Sequence, residues 1–206
     1  MLLISRKAFQ MLPRLDNPRI LDIGCGSGVP TMELAQLCNG QIIGVDIDQS
    51  LLDSLEEKVS EAGLSDRVHT LNCSLFELNF PDENFDLIWS EGSIFTIGFA
   101  RGLQEWRRIL QPKGFLVVHD EEKTIAEKRE QISRSGYVLI GNFILPGDTW
   151  WREYYDPLER YITEIRREYS DNPKVLSLCD TEQREIDMVK TNPGQYGSAF
   201  FIMQKN

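Results

Sequence analysis

The chain has 206 residues, 41% hydrophobic and 26% charged, which suits one globular core with room for a modest insertion. A formal net charge of −10 argues against a protein that tracks nucleic-acid phosphates, whose affinity rests on clustered Lys and Arg. Cys25, Cys38, Cys73 and Cys179 are too scattered for a zinc site or a disulfide framework, and Met1-Leu2-Leu3-Ile4 is too short for a signal-peptide core or a membrane span.

The first expectation is therefore a protein of the reduced cytoplasm, with no metal site built from the two distant histidines, His69 and His119. Residues 1–17 read as an N-terminal helical segment, with Ala8, Phe9, Leu12 and Leu15 available for packing. From Arg19 to Val118 short apolar runs alternate with helical patterns, the signature of a parallel sheet covered by helices. Strands are predicted at Arg19–Ile23, Gln41–Asp46, Arg67–Asn72, Phe85–Ser90 and Phe115–His119.

Between them, Leu52, Leu55, Val59 and Ala62 line one helix face, with Ser50-x-x-Asp53 as a capping box and Gly63 as the stop. Phe99, Leu103, Trp106 and Leu110 form a second stripe, ended by a turn at Gln111-Pro112-Lys113-Gly114. A helix is predicted over Glu121–Ser135 and a strand over Tyr137–Leu145. An aromatic-rich helical insertion then follows at 148–193, in which Asp156-Pro157 reads as a helix restart and a second helix starts near Pro173. The chain closes on a strand at Ser198–Met203. The fold class is α/β.

One turn concentrates the chemistry. Ile20-Leu21-Asp22-Ile23-Gly24-Cys25-Gly26-Ser27-Gly28 runs from strand into turn and then into a helix. Glycine is needed where the backbone takes positive φ or presses close to a ligand. The Gly-x-Gly-x-Gly spacing departs from the Gly-x-Gly-x-x-Gly of dinucleotide binders. Asp22, two residues before the first glycine, can attract an ammonium group. Gly44-Val45-Asp46 ends the next strand, eighteen residues beyond Gly28, and supplies an acceptor for a pair of ribose hydroxyls. Together these features describe a pocket for an adenosine with a cationic, amino-acid-like tail.

At this point Leu21-Asp22-Ile23-Gly24-Cys25-Gly26-Ser27-Gly28 resembles motif I of the class I S-adenosylmethionine-dependent methyltransferases, and Gly44-Val45-Asp46-Ile47-Asp48 their second-strand acidic motif. Leu78 to Ser90 is similar to the segment leading into the fourth strand, and Gly102 to Leu116 to the helix, turn and fifth strand that follow. The resemblance covers about Arg19 to Asp120. It implies a Rossmann-like, mainly parallel seven-stranded sheet with helices on both faces, the last strand antiparallel and the helical insertion between the last two strands, all in one methyltransferase domain spanning 1–206.

The resemblance also implies S-adenosyl-L-methionine as cofactor, S-adenosyl-L-homocysteine as its product, and a small-molecule acceptor. Gly24, Gly26 and Gly28 would shape the cofactor turn, Asp22 would favour its amino end, Asp46 would accept both ribose hydroxyls, and Ile47 would lie against the adenine. The family commonly holds the adenine edge with an Asp followed by a small residue. Those positions fall here on Ser74 and Leu75, with a slip of one to Cys73 left open; the serine brings no charge but can still hydrogen-bond.

Ser90-Glu91-Gly92-Ser93 leaves the fourth strand at the mouth of this pocket, with Ser90 beside the cofactor. Glu91 either handles the acceptor or tethers the cofactor's amino group. His119 is a second candidate for proton transfer. Trp150, Trp151 and Tyr154 are candidates for a substrate wall, against the alternative that such aromatics pack the insertion. The functional expectation is methyl transfer by a monomer or homodimer. The alternatives are a non-catalytic S-adenosylmethionine-binding module that works through protein contacts, and an NAD(P)-dependent oxidoreductase.

Overall fold

The computed structural model describes residues 2–145, 148–149, 151–191 and 197–206. The sheet has seven strands: β1 (Arg19–Ile23), β2 (Gln41–Asp46), β3 (Val68–Asn72), β4 (Phe85–Glu91), β5 (Leu110–Glu121), β6 (Tyr137–Leu145) and β7 (Ser198–Lys205). Their spatial order is β3-β2-β1-β4-β5-β7-β6, six strands parallel and the last antiparallel. Strand order reverses at β1, which has β2 on one side and β4 on the other.

The helices are α1 (Leu2–Gln10), α2 (Val29–Leu37), α3 (Gln49–Glu61), α4 (Ile94–Ile97), α5 (Phe99–Trp106), α6 (Ile125–Arg134), α7 (Asp156–Glu168) and α8 (Pro173–Thr191). On one face of the sheet Leu21, Ile23, Ile88 and Phe201 form a continuous core with Leu103 and Trp106 of α5 and Ile132 of α6. On the other, Trp89 and Phe200 lie 6.3 Å apart and Phe9 of α1 lies 6.4 Å from Trp89. The indole of Trp89 and the ring of Phe200 are fully buried, each burial stabilising by about 1.5–3 kcal/mol.

Contacts divide the chain into two compact units. The first comprises 1–120, 124–143 and 199–206; the second comprises 121–123 and 144–198 and takes in the whole span of the expected insertion. Within the second unit, α7 and α8 enclose a small core of Tyr155, Ile162, Cys179, Ile186 and Val189. No helix among the described residues is long and apolar enough to cross a membrane.

Several boundaries differ from the sequence pattern for local reasons. The N-terminal segment is helical only to Gln10, and Pro13 and the left-handed Asn17 (φ 47°) lie beyond it. The cap of α3 is Asp48 rather than Ser50: its carboxylate accepts the Ser50 N–H at 2.9 Å and so starts the helix two residues earlier. The other end of α3 is as expected. Gly63 takes φ +66°, its N–H donates to Ser60, and Leu64 N–H donates to Val59, closing the last turn.

Leu110 belongs to β5 rather than to the preceding helix, and the Gln111–Gly114 turn is a bulge inside that strand. While β4 advances from Phe85 to Leu87, its partner advances from Leu110 to Phe115. Because β5 runs on to Glu121 and Thr124 is left-handed (φ 61°), α6 begins only at Ile125. Asp156 restarts nothing: a π-helical turn over Trp151–Tyr155 passes straight into α7, and the Asp156 carboxylate pairs instead with Arg160 at 2.6 Å.

Candidate functional site

The glycine turn leaves β1 at the point of strand reversal, where open α/β sheets take ligands. Backbone bonds fasten it to β2, since the N–H groups of Gly24 and Cys25 both donate to the Val45 carbonyl, at 2.8 and 3.0 Å. Gly24, Gly26 and Gly28 all take positive φ. A Cβ on Gly28 would run into the buried side chain of Leu55, and one on Gly24 into Ser93, so the turn packs too closely for any side chain at these positions.

Asp46 closes the arrangement from β2. Its Oδ2 accepts the Gly26 N–H at 2.9 Å and its Oδ1 accepts the Asp48 N–H at 3.0 Å. The carboxylate is thus held in one orientation, with lone pairs to spare on both oxygens.

Asp22 is buried at 1% exposure, one pleat beneath the turn. Its Oδ2 accepts a hydrogen bond from Thr31, while its buried Oδ1 has no hydrogen-bond partner. Burial, reinforced by the nearby carboxylates of Glu91 and Asp46, outweighs the Thr31 hydrogen bond and lifts its pKa to about 7. A positively charged group is what this oxygen lacks.

A cavity of about 270 Å³ opens beside the turn. Gly24, Asp46 and Ile47 line one side, Ser74 and Leu75 another, and Gly92, Ser93 and Thr96 the third. Five of the residues singled out from sequence therefore line the same cavity: Gly24, Asp46, Ile47, Ser74 and Leu75. Cys73 lines it too, so the one-residue ambiguity at the adenine edge persists in space. Ser74 Oγ accepts the Phe76 N–H at 3.3 Å, which fixes the local turn. Ile47 is 74% exposed, an apolar side chain presented to the opening.

Ser90 is placed differently. It is completely buried, whereas Ser93, two residues past the end of the strand, lines the cavity together with Ser74. Strand-end position is the signal that marks Ser93; its side-chain direction is a property of the loop.

Glu91 points to the face that carries α1. Its carboxylate accepts a 2.7 Å bond from Trp89 Nε1 and is hydrogen-bonded to Ser5 of α1. Burial raises its pKa against both of those bonds. His119 stands opposite Glu91 in the β4–β5 register. Its ring stacks on Phe200 at 4.6 Å, and Phe200 stacks on Phe143 at 5.2 Å. Burial, with the nearby Lys128 charge, lowers the His119 pKa to about 4, so the ring is neutral and weakly basic near pH 7.

In the second unit, Trp151 packs against the α7–α8 core with Lys190 Nζ 5.1 Å from its ring centroid. Tyr154 is edge-on to Tyr155 and keeps 39% exposure. Trp150 lies outside the described residues.

A methyltransferase-domain family model matches residues 21–118. Over 172 residues the chain is 31% identical to the ubiquinone/menaquinone biosynthesis C-methyltransferase UbiE of Proteus mirabilis, covering 80% of this chain and 65% of that protein. Against several other curated relatives the matched stretch spans only 41–43% of their length.

Two solved structures share the fold at a TM-score of 0.80. One is a SAM-dependent methyltransferase from Geobacter sulfurreducens in complex with S-adenosyl-L-homocysteine, 16% identical, covering all of this chain and 90% of that one. The other is the [4+2]-cyclase SpnF, 21% identical, covering 99% of this chain and 80% of that one.

Proposed function

We propose that the chain is a methyltransferase of the family whose domain model matches residues 21–118, and that it transfers a methyl group from S-adenosyl-L-methionine to a small-molecule acceptor. The observation that carries the reading is the Asp22 carboxylate, buried below the glycine turn with one oxygen lacking a hydrogen-bond partner. A buried carboxylate in that state is costly until a cation approaches it, and the amino-acid tail of the cofactor carries an ammonium group.

The other residues fit the same ligand. Asp46 has free lone pairs for two ribose hydroxyls, Ile47 offers an apolar surface to the adenine, and Ser74 or Cys73, with the Leu75 N–H, borders the ring edge. When bound, the cofactor supplies a methyl group on a sulfonium, a leaving group good enough that in-line positioning and exclusion of water account for much of the catalysis. Glu91 is then the group that orients the acceptor, held by Trp89 and Ser5. Its raised pKa lets it act as a hydrogen-bond donor or take up a proton. His119, neutral and stacked, serves as a wall beside Glu91 rather than as the main base. Tyr154 is the insertion aromatic with surface to offer a substrate.

Relatives named for quinone biosynthesis support a small organic acceptor. Four free thiols fit a cytoplasmic setting, with the protein acting as a monomer or homodimer. Isothermal titration with S-adenosylhomocysteine and with NADH tests the cofactor: sub-millimolar binding of the first alone is expected, and binding of NADH alone would overturn the reading. Transfer of a labelled methyl group to a cell metabolite fraction tests the activity. Cofactor binding with no transfer to any fraction would make the chain a binding module instead.

A further inference from the structure

Pairing between β1 and β4 ends at Asp22 and Trp89. Beyond it, Ile23-Gly24 and Ser90-Glu91-Gly92-Ser93 diverge on the two sides of the crevice at which strand order reverses. At such a point the ladder no longer holds the two chain segments at a fixed separation, so some other contact must.

Ser93 makes that contact. Its Oγ donates to the Ile23 carbonyl at 2.6 Å, and it lies 2.7 Å from Ser90 Oγ. A serine has one hydroxyl proton, and that of Ser93 is committed to Ile23. The bond between the two serines therefore runs from Ser90 to Ser93, giving a directed chain: Ser90 O–H to Ser93 Oγ, Ser93 O–H to Ile23 carbonyl. Both side chains are buried, Ser90 completely. Ser93 also sits at the start of α4, where a serine ordinarily turns its oxygen back on the helix's own N–H groups. It makes no such bond here and faces the glycine turn instead. Gly24 completes the fit, because any Cβ there would strike the Ser93 side chain.

We infer that Ser93, oriented by Ser90, is a positioning residue that sets the distance between the glycine turn and the Glu91 loop and so holds Gly24 in place for the bound cofactor. The inference rests on the proposed assignment of this cavity to S-adenosylmethionine. Ser93 acts through the Ile23 carbonyl, so its hydroxyl, rather than the volume of its side chain, is the active feature.

The test is titration of S-adenosylhomocysteine into the full chain, well below the melting temperature of each variant. Ser93→Ala should weaken binding about tenfold and Ser90→Ala about threefold, since the Ser93–Ile23 bond survives the second change. Ser93→Thr, which keeps the hydroxyl, should return the affinity to within about twofold of the parent. A purely structural serine would lower the melting temperature and leave the dissociation constant unchanged; that result would overturn the inference, as would equal losses for the Ala and Thr variants. Should Ser93→Ala fail to fold, an unaltered affinity in Ser90→Ala would overturn it as well. Absence of S-adenosylhomocysteine binding by the parent chain would instead overturn the proposed function, and this inference with it.

Discussion

Thr31 donates a 2.6 Å hydrogen bond to one oxygen of the buried Asp22 carboxylate, and the other oxygen has no hydrogen-bond partner. Thr31 belongs to the first turn of α2 and Asp22 to β1, so strand and helix together hold the carboxylate in one orientation below the glycine turn. Under the proposed function, that half-satisfied group would link cofactor binding to pH.

With a pKa of about 7, Asp22 is largely ionised at pH 8 and largely protonated at pH 6. If its charge attracts the ammonium of the cofactor, the S-adenosylhomocysteine dissociation constant should rise roughly tenfold from pH 8 to pH 6. Asp22→Asn should weaken binding at pH 8 and flatten that dependence. The ligand-free chain should show the opposite trend. Its unfolded Asp22 loses a proton near 3.8 but its folded one only near 7, so this group's contribution to stability falls as pH rises between those values and is level above them. Thermal melting of the two forms from pH 4 to 8 checks the sign.

Asp46→Ala should weaken S-adenosylhomocysteine by about 1–3 kcal/mol through lost charge-assisted hydrogen bonds. The same substitution frees the N–H groups of Gly26 and Asp48, so part of the loss should appear as a looser turn. Unchanged affinity by calorimetry would argue against placing the ribose at Asp46.

Glu91→Gln retains an acceptor for Trp89 Nε1 but removes the ionisable proton. Turnover should fall on the order of 10–100-fold, while S-adenosylhomocysteine affinity stays within about threefold. Loss of affinity with turnover at saturating cofactor preserved would make Glu91 a cofactor residue.

The turn glycines should separate folding from binding. Gly28→Ala combines a left-handed backbone with a collision against the buried Leu55 and should cost about 2–4 kcal/mol of stability, read by denaturant unfolding. Gly26→Ala meets open space and should cost only about 1 kcal/mol. Under the proposed function the added methyl group would stand in the cofactor turn, so it should weaken S-adenosylhomocysteine more than it affects folding. Equal unfolding losses in both variants would contradict this account.

Most of the sheet was legible because each strand carries its own signal. The apolar runs around Leu21, Ile43, Ile88 and Val117 became β1, β2, β4 and β5, and the stripe through Leu52, Leu55 and Val59 became the buried face of α3. Local capping was less legible, since Asp48 and Ser50 are both good caps and only the entering chain direction selects the first. The Pro112-Lys113-Gly114 turn composition was equally real. Flanking strand residues on both sides let the ladder absorb it as a bulge.

The amino-acid sequence by itself determined the positions where backbone chemistry is unavoidable: the glycines that alone tolerate the turn, the carboxylates at the ends of β1 and β2, and the alternation that builds a parallel sheet. Tertiary structure alone decided which way side chains face once the strands end. It sent Ser93, two residues past β4, to the cavity, and it chose the neighbours of residues inside elements: Ser93 for Ser90, Phe200 for His119 and the α7–α8 core for Trp151. The physical reason is that periodicity fixes orientation only while a strand or helix continues; past its last residue, direction depends on contacts between segments far apart in the chain, such as Ser93 with Ile23.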